Sequence, residues 1–268
     1  MTLGCPKWDL DTILARAREY GFDAIDFRGL LEPIDITTLP EFTTDLAKTA
    51  KKIESSGVAV SGISTSLSVC EIAKRQANLD EAKRTIDVAL ALKAPNLRVF
   101  GNGDGKLGKA HLAKVGAETM NAILDLPNAK KLNWLFETHD EWVKGADAKL
   151  LLDAVPDPAF GALWDMGHTS RVGGETPSET WGYIGPRVKY AHVKDAAYDP
   201  KHPQAMKDGW RYTLAGEGQL PLAESIGILK KSGYDGYLLC EHEKRWHPEL
   251  PEPEVMFPAF IKWAKPLI

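Results

Sequence analysis

Short apolar runs and helix-length amphipathic segments alternate from one end of this chain to the other, and no other feature narrows its fold so far. Strand-like runs stand at 2–5, 24–27, 58–63, 97–100, 133–137, 161–165, 188–193 and 237–241. Each is short, apolar and bounded by turn residues, the pattern of strands buried on both faces. Helical patterns fill the intervals. Asp9 or Asp11 caps a helix ahead of Ile13-Leu14, Pro40 heads 41–56 with Gly57 at its end, and 78–93 closes before Pro95. Further patterns cover 112–124, 146–154, 177–184, 221–231 and 254–263. Eight strands each followed by a helix predict an α/β fold, a (β/α)8 TIM barrel. Such a barrel takes about 250 residues. The 268 residues fill one single domain, 1–268, and no linker or low-complexity stretch divides them.

Composition removes several alternatives. Hydrophobic residues at 44% and charged residues at 26% are ordinary for a globular protein with a sizeable core. A net charge of -4 gives no reason to bind a polyanion, so no nucleic-acid partner is expected. No apolar stretch approaches the roughly 18 residues of a membrane span, and the start Met1-Thr2-Leu3-Gly4-Cys5 lacks a charged region leading into an apolar one. The expectation is no membrane association and a cytoplasmic location. Cys5, Cys70 and Cys240 have no paired ligand spacing and read as reduced structural thiols. A homo-oligomer is compatible with all of this.

Function is most legible in the last four apolar runs, each of which ends on a metal-type ligand. These are Leu135-Phe136-Glu137, Leu163-Trp164-Asp165, Tyr190-Ala191-His192 and Leu238-Leu239-Cys240-Glu241. In a closed parallel barrel the carboxyl ends of all strands open onto one face, so Glu137, Asp165, His192 and Glu241 would ring one mouth. A single carboxylate after an apolar run often only caps the next helix. Four ligands at consecutive strand ends are harder to dismiss. Three carboxylates and an imidazole form an oxygen-rich set suited to one divalent ion, Mn2+ foremost with Mg2+ or Co2+ as alternatives.

Several fragments together resemble the sugar isomerase and epimerase family with the xylose isomerase-like barrel. They are Gly21-Phe22-Asp23-Ala24-Ile25-Asp26, Phe136-Glu137-Thr138-His139, Asp165-Met166-Gly167-His168, His192-Val193-Lys194-Asp195, Gly216-Glu217-Gly218 and the terminal Glu241. The resemblance covers nearly the whole chain. It implies that Glu137, Asp165, His192 and Glu241 bind one divalent metal, usually manganese. It also implies that Glu137 and Glu241 act as acid and base, and that His168 contacts substrate. The chemistry is coherent in itself, because removing a proton next to a carbonyl makes an enediolate whose charge a divalent cation stabilises. Glu137 and Glu241, three strands apart, can then exchange protons with one carbon from different sides.

Other residues are expected around the ring. His139 follows Glu137 by two residues and Lys194 follows His192 by two, so each shares its neighbour's side of the strand. His242 should face away from the lumen, because it adjoins Glu241. Gly216-Glu217-Gly218 reads as a tight turn and not a phosphate cradle, since no helix starts directly after it in the dinucleotide pattern. The stretch 198–218 reads as a long irregular loop on the functional side. Epimerases of the family place a sugar-holding arginine where this chain has Tyr198. In its place the loop after the last strand offers Lys244, Arg245 and Trp246, and Trp8 enters from the first loop, a set suited to a glycoside, a keto-sugar or an anionic sugar derivative.

The expected activity is a metal-dependent isomerase or epimerase acting on a small-molecule carbohydrate by proton abstraction next to a carbonyl. The competing expectation is a carbon–oxygen lyase that uses the same metal and bases to dehydrate a keto-sugar, keto-glycoside or inosose. An endonuclease IV-like phosphodiesterase shares the barrel but needs more ligands than the chain places, and a basic surface that it lacks.

Overall fold

Asp9 caps the first helix, α1 (Leu10–Tyr20), by accepting from Thr12 N at 2.8 Å, and Gly21 ends it in the left-handed region at φ 81°. That turn delivers the chain into β1 (Ala24–Phe27). The alternation then runs α2 (Leu46–Ser56), β2 (Ala59–Ser68), α3 (Arg75–Leu92), β3 (Asn96–Phe100), α4 (Lys109–Leu124), β4 (Asn133–Glu137), α5 (Gly145–Ala154) and β5 (Phe160–Asp165). Next come α6 (Met166–Arg171), α7 (Pro177–Ile184), β6 (Val188–Val193), β7 (Asp195–Tyr198), β8 (Trp210–Thr213), α8 (Leu222–Lys231), β9 (Leu238–Cys240) and α9 (Pro253–Ala264). The computed structural model describes residues 1–268. Seven strands form one parallel sheet in the order β1-β2-β3-β4-β5-β6-β9, while β7 and β8 pair separately and antiparallel. The fold is a nearly closed TIM barrel.

The expected first strand at 2–5 is not a strand. Thr2–Gly4 forms a single 3-10 turn that occupies the gap between β9 and β1. Met1 N donates to Cys240 O at 3.1 Å on one side. On the other, Thr2 Oγ1 donates to Gly29 O at 2.6 Å and accepts from Arg28 N at 2.8 Å. A hydroxyl and a terminal nitrogen thus satisfy the polar backbone that a ladder would otherwise pair. Gly4 permits the close fit, since a Cβ there would lie 2.7 Å from Phe257 Cζ.

Side-chain alternation divides the barrel into two cores. Trp134, Phe136, Trp164, Ala191 and Cys240 point outward into the large cluster beneath the helices. Met1, Leu3, Leu135, Leu163, Tyr190 and Leu239 point inward and fill the lumen. The inward position two residues beyond Leu135, Leu163, Tyr190 and Leu239 is Glu137, Asp165, His192 and Glu241, one layer nearer the mouth. Trp134 and Trp164 are fully buried, so truncating either to Ala costs about 3–5 kcal/mol.

The region expected to be irregular, 198–218, instead contributes to the β7–β8 hairpin. Its base is organised by Asp195. That carboxylate accepts from Ala196 N at 2.9 Å, Gly216 N at 2.8 Å, Gly218 N at 3.0 Å and Leu220 N at 3.3 Å. Gly216-Glu217-Gly218 is therefore a turn wrapped round an internal carboxylate, as its sequence suggests.

Candidate metal centre and the barrel mouth

Glu137, Asp165, His192 and Glu241 converge at the carboxyl ends of β4, β5, β6 and β9, each offering a ligand atom within 4.8 Å of the others. All four are buried, Glu241 being the most exposed at 4%. His192 Nδ1 is 2.8 Å from Glu137 Oε1 and 3.4 Å from Glu241 Oε2. Glu137 Oε1 and both His192 ring nitrogens nonetheless have no hydrogen-bond partner, and Glu241 Oε2 has only its ion pairs. Buried polar atoms are seldom left so, and their place among four ligand-type side chains that converge within 4.8 Å fits a cation-binding role. The cluster can hold a divalent metal ion, and its donors are of the hard type.

Two further buried cations balance the carboxylates. Arg98 Nη1 donates to Glu137 Oε2 at 3.0 Å, Arg98 Nη2 donates to Thr65 O at 2.9 Å, and the guanidinium lies 3.8 Å above the Phe100 ring. Lys194 Nζ sits 2.9 Å from Glu241 Oε2, 3.2 Å from Asp165 Oδ2 and 3.1 Å from Glu243 Oε1. Burial alone would raise the carboxyl groups. Arg98 and His192 reverse this for Glu137, His168 and Lys194 reverse it for Asp165, and Lys194 and His192 bring Glu241 down to about 2. For His192 burial favours the neutral ring, yet Glu241 and Glu137 raise it to about 10. At neutral pH the metal-free site therefore holds three carboxylates against an imidazolium, an ammonium and a guanidinium.

His168 and His139 stand at the rim. His168 Nδ1 contacts Asp165 Oδ2, and its backbone N donates to Asp165 Oδ1 at 2.8 Å. Burial, Lys194 and His139 keep this ring neutral, so Nδ1 carries the proton towards Asp165 and Nε2 remains an acceptor. The two imidazoles meet edge to face at 4.1 Å, and His139 Nδ1 lies 2.9 Å from Asp140 Oδ2. Tyr212 of β8 brings the hairpin to the same mouth, where burial raises its hydroxyl to about 12 and it feels the charges of Lys194 and Glu243.

His139, His168 and Lys194 thus accompany the four strand-end residues, whereas four other expected contacts stand elsewhere. Trp8 packs edge-on against Phe257 at 5.9 Å, outside the barrel wall, because α9 supplies the apolar partner that its indole needs. Lys244 Nζ donates to Pro248 O at 2.7 Å and Leu250 O at 2.6 Å and pairs with Glu252 at 2.8 Å. Arg245 donates to the carbonyls of Leu31 and Glu32. These cations tie the loop after β9 to itself and to the loop after β1, and with Trp246 they border a separate groove. His242 faces outward as expected, 2.8 Å from Pro251 O and edge-on to Phe257. Sequence reasoning missed Arg98 and Glu243. The available signal for Arg98 was a charged residue inside the otherwise apolar run 97–100.

Acidic and imidazole side chains gathered at the strand ends of a TIM barrel make a site that could hold a metal ion. This chain matches the family model for the xylose isomerase-like TIM barrel over residues 14–266, and it belongs to that family. Among curated proteins it is 29% identical over 117 residues to an inosose dehydratase of Bacillus thuringiensis, a stretch covering 40% of this chain and 38% of that enzyme. The match therefore spans well under half the relative's length. Among solved structures, the IolI protein with a bound zinc atom superposes with a TM-score of 0.80 at 15% identity, covering 99% of this chain and 95% of that one. The 3-keto-D-glucoside 4-epimerase YcjR of E. coli gives 0.71 at 13% identity, covering 97% and 96%. At such identities these two likenesses show the fold. No helix is long and apolar enough to cross a membrane.

Proposed function

We propose that this protein is a divalent-metal-dependent isomerase or epimerase that removes a proton next to the carbonyl of a small carbohydrate. The observation that carries the reading is the convergence of Glu137, Asp165, His192 and Glu241, with orphaned ligand atoms, at the open end of the barrel. Those four residues would hold the ion, Mn2+ being the first candidate, and the ion would supply charge stabilisation for an oxyanion developing beside the reacting carbon. Glu137 and Glu241 reach towards His192 from either side of its strand, and both stay ionised at neutral pH. One accepts the proton from carbon, and the other returns a proton to the product after first taking one up from solvent or a substrate hydroxyl. Arg98 holds Glu137 in place and Lys194 holds Glu241, while the neutral His168 presents Nε2 towards the mouth as a hydrogen-bond acceptor for a substrate hydroxyl.

A second reading, elimination of water after the same proton abstraction, is favoured by the inosose dehydratase match and by the extra polar groups at the rim, His139 and Lys194. In that case a rim group would protonate the departing hydroxyl. NMR of the Mn2+-loaded protein in deuterated water, with free ketoses, 3-keto-sugars and inososes, separates the two. Deuterium wash-in at carbon with no unsaturated product supports isomerisation, and an unsaturated product supports the lyase. Exchange at no carbon, with and without metal, would refute both.

A further inference from the structure

Arg28 is a cation of the mouth with no ion-pair partner, the nearest charges of opposite sign being those of Glu81, Glu137 and Asp26. It follows β1 directly, and its Nη1 donates to Ser66 Oγ at 2.7 Å and Ser64 O at 3.4 Å, both neutral acceptors. Its Nε and Nη2 have no protein acceptor, and no carboxylate comes within ion-pair distance of it. The other cations near the ring are all paired, Arg98 to Glu137 and Lys194 to three carboxylates. Arg98 also leaves Nε buried without a partner. Burial, then the neighbouring Arg98, lower the Arg28 guanidinium to about 9, against the opposing pull of the more distant Glu81, Glu137 and Asp26.

Register places this cation in line with the candidate metal centre. Phe27 pairs with Ile63 and Ser64 pairs with Arg98, so Arg28 and Arg98 stand at one level of the barrel, two strands apart. Two strand spacings are about 10 Å. The consecutive carbonyls of Ser64 and Thr65 take one arginine each, Arg28 from the β1 side and Arg98 from the β3 side. Arg98 then bridges to Glu137 at 3.0 Å. A row therefore runs from Glu137 through Arg98 to Arg28, ending on two free guanidinium donors and the exposed Ser66 hydroxyl.

We infer that Arg28, with Ser66, forms an anion subsite, and that the substrate is a hydroxycarbonyl compound carrying a carboxylate or phosphate at the end remote from the carbonyl. A guanidinium with two donors free receives such a group in a fork that a neutral hydroxyl cannot reproduce. The inference rests on the proposed function for the position of the carbonyl end, and it deepens that reading by naming the charge of the other end.

The test measures binding to the Mn2+-loaded protein of three matched probes: D-fructose, D-fructuronate and D-fructose 6-phosphate. One anion or both should bind roughly tenfold or more tighter than fructose, the scale of a charge-assisted pair, and the tighter of the two identifies carboxylate or phosphate. Arg28→Gln should abolish the preference, and Arg28→Lys should keep part of it as a point charge without the fork. Mn2+ affinity, measured separately by calorimetry in each variant, reports the ring of four ligands and shows that the variants are folded. Equal affinity for all three probes, undetectable binding of both anions, or a preference that survives in Arg28→Gln would overturn the subsite. A failure of Mn2+ binding alongside an Arg28-dependent preference would overturn only the metal reading.

Discussion

His192 Nδ1 lies 2.8 Å from Glu137 Oε1 with no hydrogen bond aligned between them. Opposite charges hold the pair together, and a divalent cation can take over that role only after the imidazolium gives up its proton. Because His192 is raised to about 10, it is charged throughout the neutral range in the metal-free protein. Metal binding at pH 7–8 should therefore release about one proton, and affinity should fall about tenfold for each unit of acidification over that range. Calorimetry in two buffers of different ionisation enthalpy measures the release, and none at all would contradict the assignment. The same shift governs the metal-free fold. A histidine raised on folding stabilises fully below its ordinary value near 6.5, and that contribution is lost as pH rises through about 10.

Lys194 gives a second expectation. Its ammonium is 3% exposed and faces Asp165, Glu241 and Glu243, so Lys194→Met leaves three carboxylates short of a counter-charge. Breaking a buried pair in this way costs about 3–5 kcal/mol. The melting temperature should drop without metal and recover in part on adding Mn2+, with a larger metal-induced gain than in the wild type. An unchanged melting temperature without metal would show that the ammonium is dispensable.

Ligand and base can be separated. Glu137→Gln and Glu241→Gln should each lower turnover on the order of a hundredfold or more while Mn2+ is still bound. Asp165→Ala and His192→Ala should instead remove the ion and leave the barrel folded, since both side chains lie at the end of the lumen, beyond the apolar layer of Leu163 and Tyr190. Circular dichroism together with elemental analysis of the bound metal checks both halves.

Asp195 tests the hairpin. Its carboxylate collects four backbone N–H groups, so Asp195→Ala should destabilise the protein on the order of 3 kcal/mol and loosen Tyr212 from the mouth. The Michaelis constant should rise while Mn2+ affinity stays within error of wild type. A fall in metal affinity would place the hairpin in the metal centre itself.

The convergence of the four strand-end side chains was legible because alternation in a buried strand fixes which face each residue takes, and apolar neighbours such as Leu163 and Trp164 made the phase plain around Asp165. Thr2–Gly4 was not, since a run this short satisfies strand and 3-10 patterns equally and only the fit of Gly4 under Phe257 decides between them. Lys244 and Arg245 misled for a related reason. Cations after a last strand suggest a ligand, but their partners are the carbonyls of Pro248, Leu250, Leu31 and Glu32, and a carbonyl leaves no trace in sequence. The hairpin was hidden by the turn residues between Tyr198 and Trp210, which masked the alternation of Trp210 and Tyr212.

The cover of the mouth hangs from one carboxylate, while the charged ring is carried by four separate strands of the wall. The hairpin and the charged ring thus have independent foundations in this barrel. A hairpin of different length or sequence can be grafted between Asp195 and Gly216 without altering the phase of any strand. The hairpin can accordingly change as one unit while the four side chains of the ring keep their places in the wall.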